Sequence, residues 1–180
     1  MKRNATLKIV LTALFAALIC VATMLVQISI PATGGYANLG DGVILLCAFL
    51  MNPLCAVTAA GLGSMLADVL TGYMSFAPGT LVIKAGVTLI AALIFNRFGR
   101  GQSARKAFAV QLAGAVAAEV FMVLGYFFYE AVILGGGIGA AGGILGNVGQ
   151  GAVGVVVAMV LTPILSRSRE VMEMMDKTRQ

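Results

Sequence analysis

The chain has 180 residues, 60% of them hydrophobic and only 11% charged, with a formal net charge of +5. Ordinary soluble domains carry about 25% charged residues, so a mean hydropathy of +1.00 excludes a water-soluble fold and points to an integral membrane protein. The basic surplus then reports membrane topology and contact with anionic lipid, not a nucleic-acid partner.

Several stretches reach the roughly 20 apolar residues that cross a bilayer, and cutting the chain at its breakers and charges gives six spans. Span one runs from about Lys8 to Ile30 and ends at Pro31. Span two starts near Leu39 and stops at Asn52-Pro53. Span three runs from about Leu54 to Tyr73 and span four from about Gly79 to Asn96. Span five covers roughly Ala107 to Ile133, and span six starts in the glycine-rich stretch after Gly135 and ends near Leu165. The expected fold is an all-α membrane protein with six transmembrane helices forming one domain over residues 1–180.

The basic residues orient it. Lys2, Arg3 and Lys8 precede span one; Arg97, Arg100, Arg105 and Lys106 join spans four and five; Arg167, Arg169, Lys177 and Arg179 follow span six. With six spans these segments share one side, which the positive-inside rule makes cytoplasmic, together with both termini. The connections 31–38, 74–78 and 134–146 hold no Lys or Arg. Of the 12 basic residues only Lys84, inside span four, stands apart. The N-terminal run is too long for a signal peptide and lacks a small-residue cleavage site, so it is expected to remain as the first helix.

Several function classes are excluded or disfavoured. Cys20, Cys47 and Cys55 fall inside apolar spans and read as small buried hydrophobes, and with no histidine and no CxxC there is no metal-site pattern. A formal GxGxxG at Gly137, Gly139 and Gly142 lacks the preceding strand and crossover helix that a dinucleotide site requires. No P-loop and no Ser–His or Cys–His set occurs, so neither ATP hydrolysis through a P-loop nor nucleophilic catalysis is indicated.

The intramembrane polar residues carry the functional signal. A lysine at the centre of a membrane helix costs about 2.5–3.5 kcal/mol even on lenient scales. At 1.5 Å per residue, Asp68 lies roughly 6 Å below the outer end of span three, and Lys84 roughly 7–8 Å below that of span four. The short 74–78 connection makes these helices neighbours, so Asp68 is the expected resting partner of Lys84. Asp41 opens span two at the same outer level. Glu119, Met122, Tyr126 and Glu130 are spaced i, i+3, i+7 and i+11 and so share one face of span five, with Glu119 near mid-membrane. Asn147 and Gln150 open span six, and Asn38 and Tyr73 lie at the outer ends of their spans. Blander roles exist for each: a structural Asp68–Lys84 pair, helix caps for Asp41 and Asn147, an interface marker for Glu130. The outer-half clustering nevertheless resembles a pocket open to the exterior more than a channel, which would be polar along its whole length. The expected substrate-binding set is Asn38, Asp41, Asp68, Tyr73, Lys84, Glu119, Tyr126, Glu130, Asn147 and Gln150. Without tryptophan, stacking must come from Tyr36, Tyr73, Phe76, Tyr126, Phe127 or Tyr129.

The stretches "YANLGDGVILLCAFLMNP" and "GLGSMLADVLTGYMSFAPGTLVIKAG" resemble the substrate-binding S components of energy-coupling factor (ECF) vitamin transporters, and length and span count fit that family across the chain. Ala13 and Ala17, within "ALFAALICVA", resemble the AxxxA face by which such proteins dock on the membrane coupling protein. The resemblance implies a non-enzymatic, cofactor-free protein in a prokaryotic cell membrane. It would capture a micronutrient from outside and tip over beside a coupling protein powered by two ATPases. The nearest branch is that of riboflavin, hydroxymethylpyrimidine and vitamin B6-type substrates, and no motif matches one vitamin. Two other classes stay open: a small ion- or proton-coupled carrier using Glu119 and Lys84, and an assembly subunit whose charges only fix packing.

Overall fold

The structure, a computed structural model, describes residues 2–179, with side chains from 5 to 178. The side chains of Lys2, Arg3 and Arg179, part of the topology argument, lie outside those described.

Helix α1 (Lys2–Leu25) leads into a β-hairpin, β1 (Gln27–Ile30) and β2 (Gly35–Asn38). Then come α2 (Gly40–Leu50), α3 (Pro53–Thr71), α4 (Ala77–Phe98) and α5 (Ala104–Phe128), the last extended by a π-helical turn over Tyr129–Ile133. A 3-10 segment, Gly137–Gly143, precedes α6 (Ile144–Arg167), and α7 (Arg169–Arg179) ends the described chain. Among the described residues, five helices are long and apolar enough to cross a membrane. These are α1, α3 and α4, α5 with its π-helical turn, and α6 with the 3-10 segment before it.

Local chemistry sets the breaks. Asn52 accepts a hydrogen bond from the Leu54 amide at 2.9 Å and Pro53 fills the first helical position of α3, so α2 stops and α3 starts there. Gly72, at φ +88°, ends α3 in the left-handed conformation that favours glycine, and its amide donates to the Asp68 carbonyl.

Two expectations change. The apolar run does not stay helical to Ile30: Gln27 pairs with Asn38 and Ile30 with Gly35 in an antiparallel hairpin. The alternating β-branched residues Ile28 and Ile30 favour strand, and Pro31 with Gly34 (φ +69°) turns the chain. The fold is therefore helical with a small two-stranded sheet. Span two is realised only as α2, an 11-residue helix about 16 Å long, too short to cross alone. It is apolar all round and touches α1, α3, α4 and α6, as an interior helix should be.

The core inverts the soluble pattern. Leu14, Leu18 and Val21 on α1, Val116, Val120 and Leu124 on α5, and Val156, Val160 and Ile164 on α6 are exposed, while Asp41, Asp68, Lys84, Glu119, Glu130, Asn147 and Gln150 are buried. Water would not stabilise that arrangement, but lipid does. Small residues bring the backbones together: a Cβ on Gly154 of α6 would sit 2.7 Å from the Asp41 Cβ on α2, and one on Gly63 of α3 would strike the Ala16 carbonyl of α1. The hairpin, the 72–76 turn and the 134–143 segment gather at one end. At the opposite end, the Asn52 amide donates to Thr178 Oγ1 of α7, and the Arg97–Lys106 connection and Arg167 lie on that side.

Candidate functional site

The buried charges meet just beneath the hairpin. Lys84, one helical turn below Thr80 on α4, is 1% exposed and Asp41, in the first turn of α2, is 0% exposed. Lys84 Nζ donates to Asp41 Oδ1 at 2.5 Å and contacts Met122 Sδ at 3.1 Å. It also stands 5.4 Å from the Tyr126 ring centroid, a cation–π distance. The lysine does not snorkel. The other Asp41 oxygen accepts from Gln150 Nε2 at 2.6 Å. Gln150 Oε1 in turn accepts from the Asn38 amide at 2.8 Å and from Asn38 Nδ2 at 3.2 Å. Asn38 Oδ1 closes the chain by accepting from the Gly40 amide at 2.9 Å. One network thus ties hairpin, α2, α4 and α6 together, with the buried Lys84 and Asp41 paired and hydrogen-bonded as a low-dielectric site demands.

The expected Asp68–Lys84 pairing is not formed. Asp68 Oδ1 instead accepts from the Tyr36 hydroxyl at 2.5 Å. Lys84 meets Asp41 because α2 packs against α4 and carries Asp41 in its first turn, a position favourable to an acidic residue. Burial, and next the hydrogen bond to Asp68, raise the Tyr36 phenol above its usual range, so it stays a neutral donor.

A cavity opens between this network and the hairpin. Its walls include Tyr36, Asn38, Asp68, Lys84, Tyr126, Glu130, Asn147 and Gln150, so most of the expected set converges. Asp41 lies behind Lys84. Tyr73 stands outside the lining and supports it: its ring centroid is 4.5 Å from that of Tyr36 and 6.3 Å from that of Phe76. Glu119 does not reach the cavity. It is buried at the α5–α6 seam against Gly151, bordering a separate apolar groove with Val116, Val120, Leu124, Val148 and Val155.

Five lining residues went unread in the sequence: Thr23, Ile30, Gly35, Ser64 and Thr80. Ser64 and Thr80 each sit four residues before a charged wall residue, Asp68 and Lys84, so helical spacing could have found them. Ile30 and Gly35 are placed by the hairpin and Thr23 by the last turns of α1, and none was singled out in the sequence. Thr80 Oγ1 is 3.0 Å from the Tyr126 hydroxyl. In contrast, Thr23 Oγ1, Ser64 Oγ, Asp68 Oδ2 and Glu130 Oε2 are buried with no hydrogen-bond partner, an expensive state unless something else engages them. The free volume is only about 20 Å³, room for a water or so. A larger solute therefore does not fit unless the walls rearrange.

Ala13 and Ala17 of α1 are both exposed.

The chain resembles known proteins over most of its length. Residues 3–167 match the family described as "ECF-type riboflavin transporter, S component". An "Uncharacterized protein in gap 3'region" of Pyrococcus woesei is 39% identical over 149 residues, 83% of this chain and 95% of that protein. A solved structure, described as "Structure and mechanism of the S component of a bacterial ECF transporter", superposes with a TM-score of 0.66 at 18% identity, covering 88% of this chain and 95% of the other. At that identity the likeness concerns the fold.

Proposed function

Since the chain belongs to the S component family of ECF-type riboflavin transporters, we propose that it captures a small water-soluble vitamin or vitamin precursor from outside a prokaryotic cell, for import by a coupling protein and two ATPase subunits. The supporting observation is the polar-lined cavity of 14 residues beneath the hairpin, set in a bundle whose surface is apolar. Such a pocket gives a ring-bearing solute apolar wall area and a few fixed polar groups. Asn38, Asp68, Lys84, Tyr126, Glu130, Asn147 and Gln150 are its contacts, Asp41 holds the lysine, and Tyr73 backs the Tyr36 wall. Glu119, at the α5–α6 seam, is left out of the contact set.

In this reading α2 counts as a sixth, short membrane segment, residues 1–180 act as one domain, and both termini face the cytoplasm of the cell membrane, as the basic end of the bundle favours. Ala13 and Ala17 form the close-approach face for the coupling protein. The absence of a nucleotide motif in the sequence fits energy supplied by another subunit.

The test has two arms. Mass spectrometry of small molecules retained by the purified protein identifies the solute. Labelled uptake in cells carrying or lacking an ATPase and coupling module tests the energy source. Uptake that needs no ATPase and collapses with the membrane potential would instead establish an ion-coupled carrier.

A further inference from the structure

We infer that the cavity selects solutes carrying a protonated nitrogen, and rejects phosphorylated or carboxylated ones, because two carboxyl groups line it and face no free cation. This rests on reading the cavity as the solute site and adds the charge of the ligand to it.

The charge inventory is short. Between Lys8 and Arg97 the only basic residue is Lys84, and none lies between Lys106 and Arg167. Lys84 is committed: Asp41 takes its charge at 2.5 Å, Met122 contacts it, and the Tyr126 ring covers it. An arriving anion would have to break that ion pair and leave Asp41 buried with Gln150 alone, a costly exchange in a dry site. Two carboxyl groups, by contrast, line the cavity with no basic partner. Asp68 is 3% exposed and Glu130 5% exposed, and each keeps one oxygen, Oδ2 and Oε2, without a hydrogen bond. They project from different helices: Asp68 from α3, Glu130 from the π-helical turn after α5. The hydroxyls of Ser64 and Thr23 are also unengaged and can either accept from or donate to a solute.

The other titratable groups nearby do not alter this balance. Tyr36 spends its proton on Asp68, Tyr126 shares one with Thr80, and Glu119 lies within electrostatic range of Asp41 and Lys84, adding a further acid and no base. A protonated amine, or a ring bearing a cationic nitrogen and an amino group, supplies the missing donors and the missing charge. Tyr36, Phe76 and Tyr126 give its ring, or the cation itself, aromatic faces.

The experiment is isothermal titration of the full-length protein in detergent, with thermal melts of each variant alongside. The ligands are thiamine and pyridoxamine as cations, riboflavin and pyridoxine as neutral vitamins, and thiamine monophosphate, pyridoxal 5′-phosphate and flavin mononucleotide as anions. A cationic member should bind most tightly, and both Asp68→Asn and Glu130→Gln should weaken it by about 10- to 100-fold, as losing one charged hydrogen bond does. Should Asp68→Asn fail to fold, Glu130→Gln, on a different helix, carries the test. Tightest binding of riboflavin or pyridoxine overturns the cation preference and leaves vitamin capture standing. Tightest binding of a phosphorylated ligand, or a cation affinity unmoved by either variant, also overturns it. If no ligand in the panel binds, the charge preference and the vitamin reading fall together.

Discussion

Replacing Lys84 by methionine keeps much of the stem and removes the ammonium, so the result isolates the buried charge. In the folded protein the Lys84 and Asp41 side chains are only 2% and 0% exposed. Loss of the cation leaves Asp41 as a carboxylate held only by Gln150. Removing one partner of such a pair costs about 3–5 kcal/mol, and at roughly 2–4 °C per kcal/mol for a chain of this size the melting temperature should fall by about 6–20 °C. Lys84→Met combined with Asp41→Asn removes both charges while an amide can still meet Gln150, and that pair of changes should recover most of the loss. Asp68→Asn in place of Asp41→Asn should not rescue, because Asp68 is bonded to Tyr36. Melting followed by circular dichroism in one detergent decides it, since the chain has no tryptophan to report by fluorescence. A Lys84→Met melt within about 2 °C of wild type, or rescue by Asp68→Asn and not by Asp41→Asn, would refute the assignment of the pair.

Three further outcomes are expected. Ala13→Trp with Ala17→Trp should abolish uptake and leave solute affinity nearly unchanged, because both alanines face outward on α1; parallel loss of binding in a titration would place them in the protein's own packing. Gly154→Val should destabilise by about 1–3 kcal/mol through overpacking, since the new Cβ would lie 2.7 Å from that of Asp41; an unaltered melt would show that α2 and α6 can separate freely. The raised Tyr36 phenol stabilises the fold below its ordinary pKa near 10, and that contribution is lost as pH climbs through the higher folded value. Melts from about pH 8 to about pH 11 should therefore fall less steeply for Tyr36→Phe than for wild type, and parallel curves would remove the Tyr36–Asp68 bond from the stability of the site.

The helices were legible because the bilayer punishes ambiguity: a long apolar run bounded by Asn52-Pro53, by Gly72 or by an arginine cluster has few other readings. Lys84 stood out for the same reason. The hairpin was missed although Val26–Ile30 alternates apolar residues with Gln27 and Ser29, the period-2 mark of a strand, because the run was read only as a continuation of the apolar span before it. The lysine's partner was misjudged because connection length and depth placed Asp68 beside it, whereas Asp68 is taken by Tyr36 of the hairpin and Asp41 of α2 stands at Lys84, a packing no local sequence signal shows. Glu119 shares a helical face with Met122 and Tyr126, yet a face is wider than a pocket, and Gly151 lets α6 approach closely enough to shut Glu119 out.

An isolated two-stranded hairpin is marginal on its own, and this one is fastened by the residues beneath it: Asn38 to Gln150, Tyr36 to Asp68 and Gln27 to Thr71 at 3.4 Å. Any solute that reaches Asp68 or Gln150 has first to wait for those fastenings to open, so its association is paced by the protein's own opening rate and not by diffusion. At high solute concentration the observed association rate should level off at that opening rate. Once the solute holds the same groups, closure of the hairpin over it makes departure slow as well. A cover latched by its own binding groups thus trades speed of capture for length of residence.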